Sequence, residues 1–302
     1  MNLRDLKYLI ALADYRHFGK AAKACFVSQP TLSIQLNKLE EELGVILFER
    51  GQKRVILTSM GRLIVNQAKV VLAASSKLKQ LAKSADDPFS VQLRLGLIPT
   101  LGPYLLPVIL PIIKKALPKL ALFLYEDKTD NLVEQLKEGK LDAIILALPI
   151  MEHGLLIKPL FKEPFFLVLP SNHLLKHEKK VKLNDLNLDN LLLLEEGHCL
   201  REQALEICHR KSALKEKTNY RATSLETLRH MVACGIGITL LPLLALEERR
   251  LIVNKALASP VPQRTIGMLW RKDAALSICC EKLVEIITIN VPPILAGLEK
   301  QL

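Results

Sequence analysis

The sequence predicts an α/β protein in two parts: a helical module with a two-stranded wing and a long trailing helix, then two α/β lobes facing a crevice. Three observations lead there. The first 87 residues hold three short amphipathic segments, a basic strand-turn-strand and one uninterrupted helical period. A break follows at Ser84-Ala85-Asp86-Asp87-Pro88. Beyond it, apolar runs alternate with amphipathic segments, the pattern of helices layered on a sheet. A length of 302 residues fits about two units, each large enough for its own core.

The net charge of +11 is unevenly spread: residues 1–87 carry 14 Lys plus Arg against 8 Asp plus Glu. A basic N-terminal unit points to a polyanion, although charge alone equally suits a membrane surface. Half the residues are apolar and 5% aromatic, which describes an aliphatic core. The start MNLRDLKYLI lacks the order of a signal peptide, and no apolar run reaches membrane-spanning length, so no membrane association is expected. The expected location is the cytoplasm, where thiols stay reduced.

In order, Leu3, Leu6, Leu9, Ile10 and Ala13 give residues 2–15 one apolar face. A short alanine-rich helix covers Gly19 to Cys25. Ser28 then suits a cap and Pro30 the first turn of a third helix, with Leu32, Leu36, Leu39 and Leu43 at spacings of 4, 3 and 4, ending at Gly44. This is the helix-turn-helix pattern. At about 100° per residue the opposite face presents Ile34, Asn37, Lys38 and Glu41, flanked by Thr31, Ser33 and Gln35. Hydroxyl and amide side chains there suit base edges and phosphates, and Ile34 suits thymine methyls. The bland alternative is a solvated face with one stray isoleucine. Leu47 to Leu57 reads as strand, basic turn and strand, a wing that brings Arg50, Lys53 and Arg54 to phosphates. From Thr58 to about Ala85, Ile64, Ala68, Val71, Ser75, Leu78 and Ala82 alternate at 4 and 3. That seam predicts a dimerising helix; the alternative is packing on its own module.

The second part reads as strand Val91–Ile98, helix Leu105–Ala116, strand Leu120–Tyr125, helix Leu132–Glu138 and strand Ala143–Leu148, a parallel arrangement. It repeats with strands Phe165–Leu169 and Leu191–Leu194, a cysteine-bearing helix, helix Leu225–Cys234 and strand Gly237–Leu241. Strand Thr265–Trp270 and helix Leu276–Ile289 return to the first lobe. The predicted domains are 1–58, the linker helix 59–87, and 88–302, with lobes 88–163 plus 265–302 and 164–264. Thr100, Thr129 and Ser224 follow strands or start helices, where hydroxyls either line the crevice or cap.

The run Gly197 to Arg210, GHCLREQALEICHR, carries the chemistry. Cys199 has His198 and Arg201 beside it at a helix start, conditions that favour a thiolate. Cys208 follows nine residues later. In a helix that is roughly 13.5 Å at 1.5 Å per residue, whereas a disulfide spans at most about 7 Å between Cα atoms. Pairing would require the helix to open. Cys25, Cys234, Cys279 and Cys280 read as packing residues. A zinc site from His198, Cys199, Cys208 and His209 matches none of the common spacings.

The run LRDLKYLIALADYRHFGKAAKACFVSQPTLSIQLNKLEEELGVILFER resembles the DNA-binding module of LysR-type transcriptional regulators. The runs LRLGLIPTLGPYLLP, EEGHCLREQAL with Cys208, YRATSLETLRHMVACGIGITLLP and RTIGM resemble their OxyR branch, the peroxide sensors. The resemblance implies a winged helix-turn-helix and a regulatory domain like periplasmic binding proteins. It implies a homodimer or homotetramer on double-stranded promoter DNA that activates oxidative-stress genes, with RNA polymerase, hydrogen peroxide and a cellular dithiol reductant as partners. It implies no cofactor or metal, and no enzyme. By motif match Cys199 is peroxidatic and Cys208 resolving; Thr100, Thr129 and His198 hold peroxide. Arg4, Ser28, Gln29, Pro30, Thr31, Ser33, Gln35, Lys38 and Arg50 contact DNA or orient the helix. Ile34 stands where relatives carry glycine, and Asn37 near a basic position, which points to a different target preference; residues 244–262 also form a shorter stretch. The alternative is a regulator answering a metabolite bound between the lobes, which has no use for a resolving thiol.

Overall fold

Asn2 begins the first helix by accepting the Arg4 and Asp5 backbone N–H groups on its side chain, while Asp5 accepts the Asn2 N–H in return. This reciprocal cap satisfies donors that the first turn would otherwise leave open. The computed structural model describes residues 1–50, 55–84, 87–183, 190–208 and 222–301. Helices α1 (Leu3–Tyr15), α2 (Phe18–Ala24) and α3 (Gln29–Leu43) bury Leu6, Leu9, Leu12, Ala21, Ala22, Leu32, Leu36 and Leu39 against one another. Leu3 is exposed; Tyr8 and Leu12 take its place on the buried face. Gly44 ends α3 at φ 67°, the left-handed geometry in which a side chain is strained.

The wing is fixed from α3. The Glu40 carboxylate accepts the Leu47 and Phe48 N–H groups at 2.7 and 3.1 Å, starting strand β1 (Phe48–Arg50) antiparallel to β2 (Val55–Leu57). Lys53 and Arg54 lie outside the described residues, as does the Arg50 side chain. Thr58 caps helix α4 (Ser59–Ser84), its hydroxyl accepting the Gly61 N–H at 2.8 Å and donating to the Ile46 carbonyl at 2.8 Å. The expected seam divides: Ile64 and Ala68 pack on this module's core, Ser75 is half-buried, Val71 and Leu78 are exposed, and Ala82 lies outside the described side chains.

In the second part, β3 (Gln92–Leu97) pairs in parallel with β4 (Ala121–Glu126) and β5 (Ala143–Leu148), with α5 (Gly102–Ala116) and α6 (Thr129–Lys137) as crossovers. The rest corrects the all-parallel expectation. Strand β10 (Gln263–Arg271) runs antiparallel to both β5 and β6 (Leu155–Pro170). Beyond Pro164, β6 leaves β10 and pairs antiparallel with β8 (Thr239–Pro242) and β9 (Ile252–Leu257), and β9 pairs with β7 (Lys180–Val181) in parallel. One 16-residue strand therefore links both lobes. Its first half escaped sequence reading because Pro159 and Pro164 mark a strand interior as broken; Pro159 is accommodated where the β10 register shifts at Ile266/Gly267.

Leu191–Leu194 forms isolated bridges, Leu191 to Ile238 and Leu194 to Ala222, and not a strand. Helices α7 (Cys199–Ile207) and α8 (Leu225–Ala233) cover this second lobe. Helix α9 (Ser277–Gln301) runs past Ile289 through Pro292 and Pro293, since buried Val291 and Leu295 anchor its far end. Cys279 and Cys280 are core residues, as expected. Cys234 is exposed at the end of α8, against expectation. Two apolar clusters result, one around β3, β5, β10 and α9 and one around the second half of β6, α7 and α8. Among the described residues no helix is long and apolar enough to cross a membrane.

A Cβ at Gly61 would lie 2.1 Å from the Leu47 carbonyl oxygen. Gly61→Ala is expected to push β1 off the start of α4 and destabilise the module by about 1–3 kcal/mol, the range for overpacking. Urea unfolding of the full chain measures it; an unchanged midpoint would refute this account of the wing.

Candidate functional site

Two places gather the chemistry. On the first module, the Ser28 hydroxyl caps α3 by accepting the Thr31 N–H at 3.2 Å and lies 2.7 Å from the Thr31 hydroxyl. Leu32, Leu36 and Leu39 turn inward. Ser28, Gln29, Pro30, Thr31 and Lys38 are therefore exposed, Ser33 and Gln35 half-exposed, and Ile34 is 52% exposed. Such a face carries donors, acceptors and one apolar contact at a helix N-terminus, the inventory that enters a major groove. Arg4 is exposed on the first turn of α1.

The second place is the start of α7. Gly197, at φ 87°, makes the turn; a Cβ there would meet the Lys128 side chain at 3.0 Å. Lys128, at the start of α6 in the first lobe, donates to the Glu195 carboxylate at 2.8 Å and the Glu196 carbonyl at 2.9 Å in the second. Glu195 stands 3.8 Å from Nε2 of His198, which is buried and precedes Cys199 at the helix N-terminus. Burial, then the Lys128 charge, push the His198 pKa down, with Glu195 opposing. The neutral imidazole thus dominates near neutral pH, beside a sulfur at the positive end of a helix.

Cys199 is half-buried and packs against the first-lobe cluster; Cys208 is buried in the second-lobe cluster and caps the far end of α7, its N–H donating to Ala204 at 3.1 Å. Neither sulfur is in a disulfide. Arg201, read in the sequence as a charge beside Cys199, donates to the Leu194 carbonyl at 3.0 Å and ties the helix start to its bridge.

Thr100 is buried, and its placement depends on a pair the sequence reading missed. Arg264 donates to the Thr100 hydroxyl at 3.4 Å and to its carbonyl at 3.1 Å. The same guanidinium meets Glu163 at 2.8 Å, and Glu163 accepts the Leu244 N–H at 2.7 Å. Arg264 and Glu163 have fully buried side chains, so losing either partner would strand a charge, at a cost of about 3–5 kcal/mol. Thr129, the first residue of α6, buries its hydroxyl oxygen with no hydrogen-bond partner, and so does the side-chain carbonyl of Gln203, one turn after Cys199. The Lys128–Glu195 pair links the segments that carry these two atoms. Ser224 is a cap: it accepts the Thr227 N–H at 3.2 Å. Glu195, Gln203 and Arg264 lie in the runs EEGHCLREQAL and RTIGM but were given no role there, and Lys128 and Glu163 lie outside every quoted run.

Residues 3–62 match the bacterial regulatory helix-turn-helix protein family of lysR type, and residues 87–290 match the LysR substrate binding domain. The chain is 48% identical over 290 residues, 95% of each chain, to the DNA-binding transcriptional dual regulator OxyR of Escherichia coli K12. It is similar in structure to full-length OxyR C199D from Pseudomonas aeruginosa, with TM-score 0.76 and 40% identity, covering 95% of this chain and 94% of that one. It is also similar to a hydrogen-peroxide-bound OxyR mutant of Corynebacterium glutamicum, with TM-score 0.68 and 31% identity, covering 99% and 95%.

A histidine whose folded pKa is depressed stabilises the fold fully above its unfolded value and loses that contribution as pH falls through the folded one. Thermal unfolding should therefore show a destabilisation below about pH 6.5 that is smaller in His198→Gln. Identical pH profiles for the two proteins would refute the assignment.

Proposed function

The chain belongs to the LysR family of transcriptional regulators, in its OxyR branch, and from that we propose that it is a DNA-binding regulator switched by hydrogen peroxide. The observation that carries the reading is Cys199 at the positive end of α7, beside neutral His198, with Cys208 in another apolar cluster at the far end of the same helix. The Cys199 thiolate attacks one peroxide oxygen and the O–O bond breaks. The sulfur leaves as a sulfenic acid and the other oxygen, on taking a proton, as water. The Cys208 thiol then attacks that sulfenic sulfur, displacing a second water and forming the disulfide. Two thiols are oxidised and one peroxide is reduced to two waters.

Thr100, Thr129 and His198 hold the peroxide in this reading, with Gln203 and the Arg264–Glu163 pair supporting the pocket wall. Closing the disulfide opens α7, because an intact helix keeps the sulfurs apart. The Glu195 N–H donates to the Ala222 carbonyl at 2.9 Å, so the same strain reaches a residue two positions before the α8 cap, Ser224. That is a two-state element of the kind a switch requires.

On the DNA side, Ser28, Gln29, Pro30, Thr31, Ser33, Ile34, Gln35 and Lys38 face the major groove, while Arg4, Arg50, Lys53 and Arg54 hold phosphates. Exposed Leu63, Val70 and Leu78 on α4 support dimerisation through that helix, and a pair of dimers forms the tetramer. RNA polymerase and a dithiol that restores the two thiols are the remaining partners, and the setting is the cytoplasm. As in its relatives, the product is altered transcription and not a chemical turnover.

Mass spectrometry of alkylated peptides after brief peroxide exposure should find a Cys199–Cys208 crosslink in the wild type and none in Cys199→Ser; its absence from the wild type would refute the redox switch. Arg50→Ala should weaken binding to all duplexes and lower the salt dependence by about one unit, whereas Gln35→Ala should change base preference. Equal affinity of wild type and Arg50→Ala at moderate salt would count against the wing contact.

A further inference from the structure

Phe26 stands in the turn between α2 and α3 at φ 56° with its side chain 95% exposed. The chain turns there because the Val27 N–H donates to the Ala22 carbonyl at 3.0 Å and the Phe26 N–H to the Lys23 carbonyl at 3.2 Å. These two bonds form the helix-ending turn whose outer residue must be left-handed. Glycine or asparagine suits that position, since a Cβ crowds the following carbonyl. Phenylalanine strains the backbone and also leaves a large apolar ring in water. Among the described residues of this module no contact covers the ring, which is 95% exposed.

The location gives the ring a use. Two residues later Ser28 caps α3, whose exposed N-terminal face carries Thr31 and Ile34. Strain kept at the mouth of a recognition element points to a contact with what that element recognises. The ring has no donor or acceptor, so it can fix neither a phosphate nor a polar base edge. In the major groove the apolar feature on a base edge is the thymine methyl group.

We propose that Phe26 is a sequence-reading residue whose ring packs on a thymine methyl at the edge of the site read by α3. This rests on the DNA-recognition reading above and adds a contact lying outside the recognition helix.

The test uses the full-length protein and a duplex selected by the wild type from a randomised pool. Each thymine is replaced in turn by deoxyuridine, which deletes only the methyl. Phe26→Gly should raise the thermal midpoint by a few degrees, because it relieves the left-handed strain. It should weaken binding to the selected duplex by about five- to tenfold, the lower range for one base contact, and leave an unrelated duplex unaffected. One deoxyuridine position should weaken the wild type by the same factor and Phe26→Gly no further, while Ile34→Ala stays sensitive to it. Phe26→Asn, also tolerant of the left-handed turn, should repeat the result.

Undiminished affinity of Phe26→Gly, equal losses on both duplexes, or unaltered sensitivity at every deoxyuridine position would overturn the proposal. So would intact binding with lost promoter activation, which would assign the ring to a protein partner. If the wild type selected no duplex, the DNA reading would itself fail and take this inference with it.

Discussion

The rise of a single helix governs the regulatory part of this protein. Nine residues of α7 hold Cys199 and Cys208 roughly 13.5 Å apart, and the packing of half-buried Cys199 and buried Cys208 on different apolar clusters keeps them so. An oxidised Cys199 can be resolved by Cys208 only if backbone hydrogen bonds such as the one from Cys208 to Ala204 are given up. The competition is between a covalent S–S bond and a small set of packing and hydrogen-bond terms, each worth about 1 kcal/mol. A covalent event can therefore win locally without unfolding the lobe.

The surroundings of that helix set the terms. Lys128 bridges the lobes to Glu195 and the Glu196 carbonyl, close to the glycine that opens the turn into α7. Arg264 and Glu163, two buried charges that satisfy each other, position Thr100 from β10 and β6. β6 spans both lobes, pairing with β10 in one and with β8 in the other. Thr129 and Gln203 each bury a side-chain oxygen without a hydrogen-bond partner, one at the start of α6 and one on α7.

The DNA module follows a simpler logic, in which helix starts are satisfied by nearby side chains: Asn2 and Asp5 for α1, Ser28 for α3, and Thr58 for α4. Glu40 extends the scheme to the wing, fixing its first strand from the recognition helix. The exposed face of α3 is therefore positioned from both sides, by Ser28 and Thr31 at its start and by inward-turned Leu32, Leu36 and Leu39. Phe26 departs from that economy, with an aromatic at a turn that favours glycine.

Periodic, local signals were legible in the sequence alone. Leucines at 4 and 3 residue spacings, caps such as Ser28 and Thr58, Gly44 after α3, and the pairing of a helix-start cysteine with a second one nine residues on all depend on neighbours within a few positions. The tertiary structure decided what depends on distant partners. It made β6 one strand through two prolines, because β10, β8 and β9 supply the hydrogen bonds that a local reading cannot see. It gave part of the α4 seam to the module's own core, carried α9 through Pro292 and Pro293, and brought Arg264 to Thr100 across 164 positions of chain. A buried charge is stable only where its partner arrives through the fold, and no spacing in the sequence encodes that meeting.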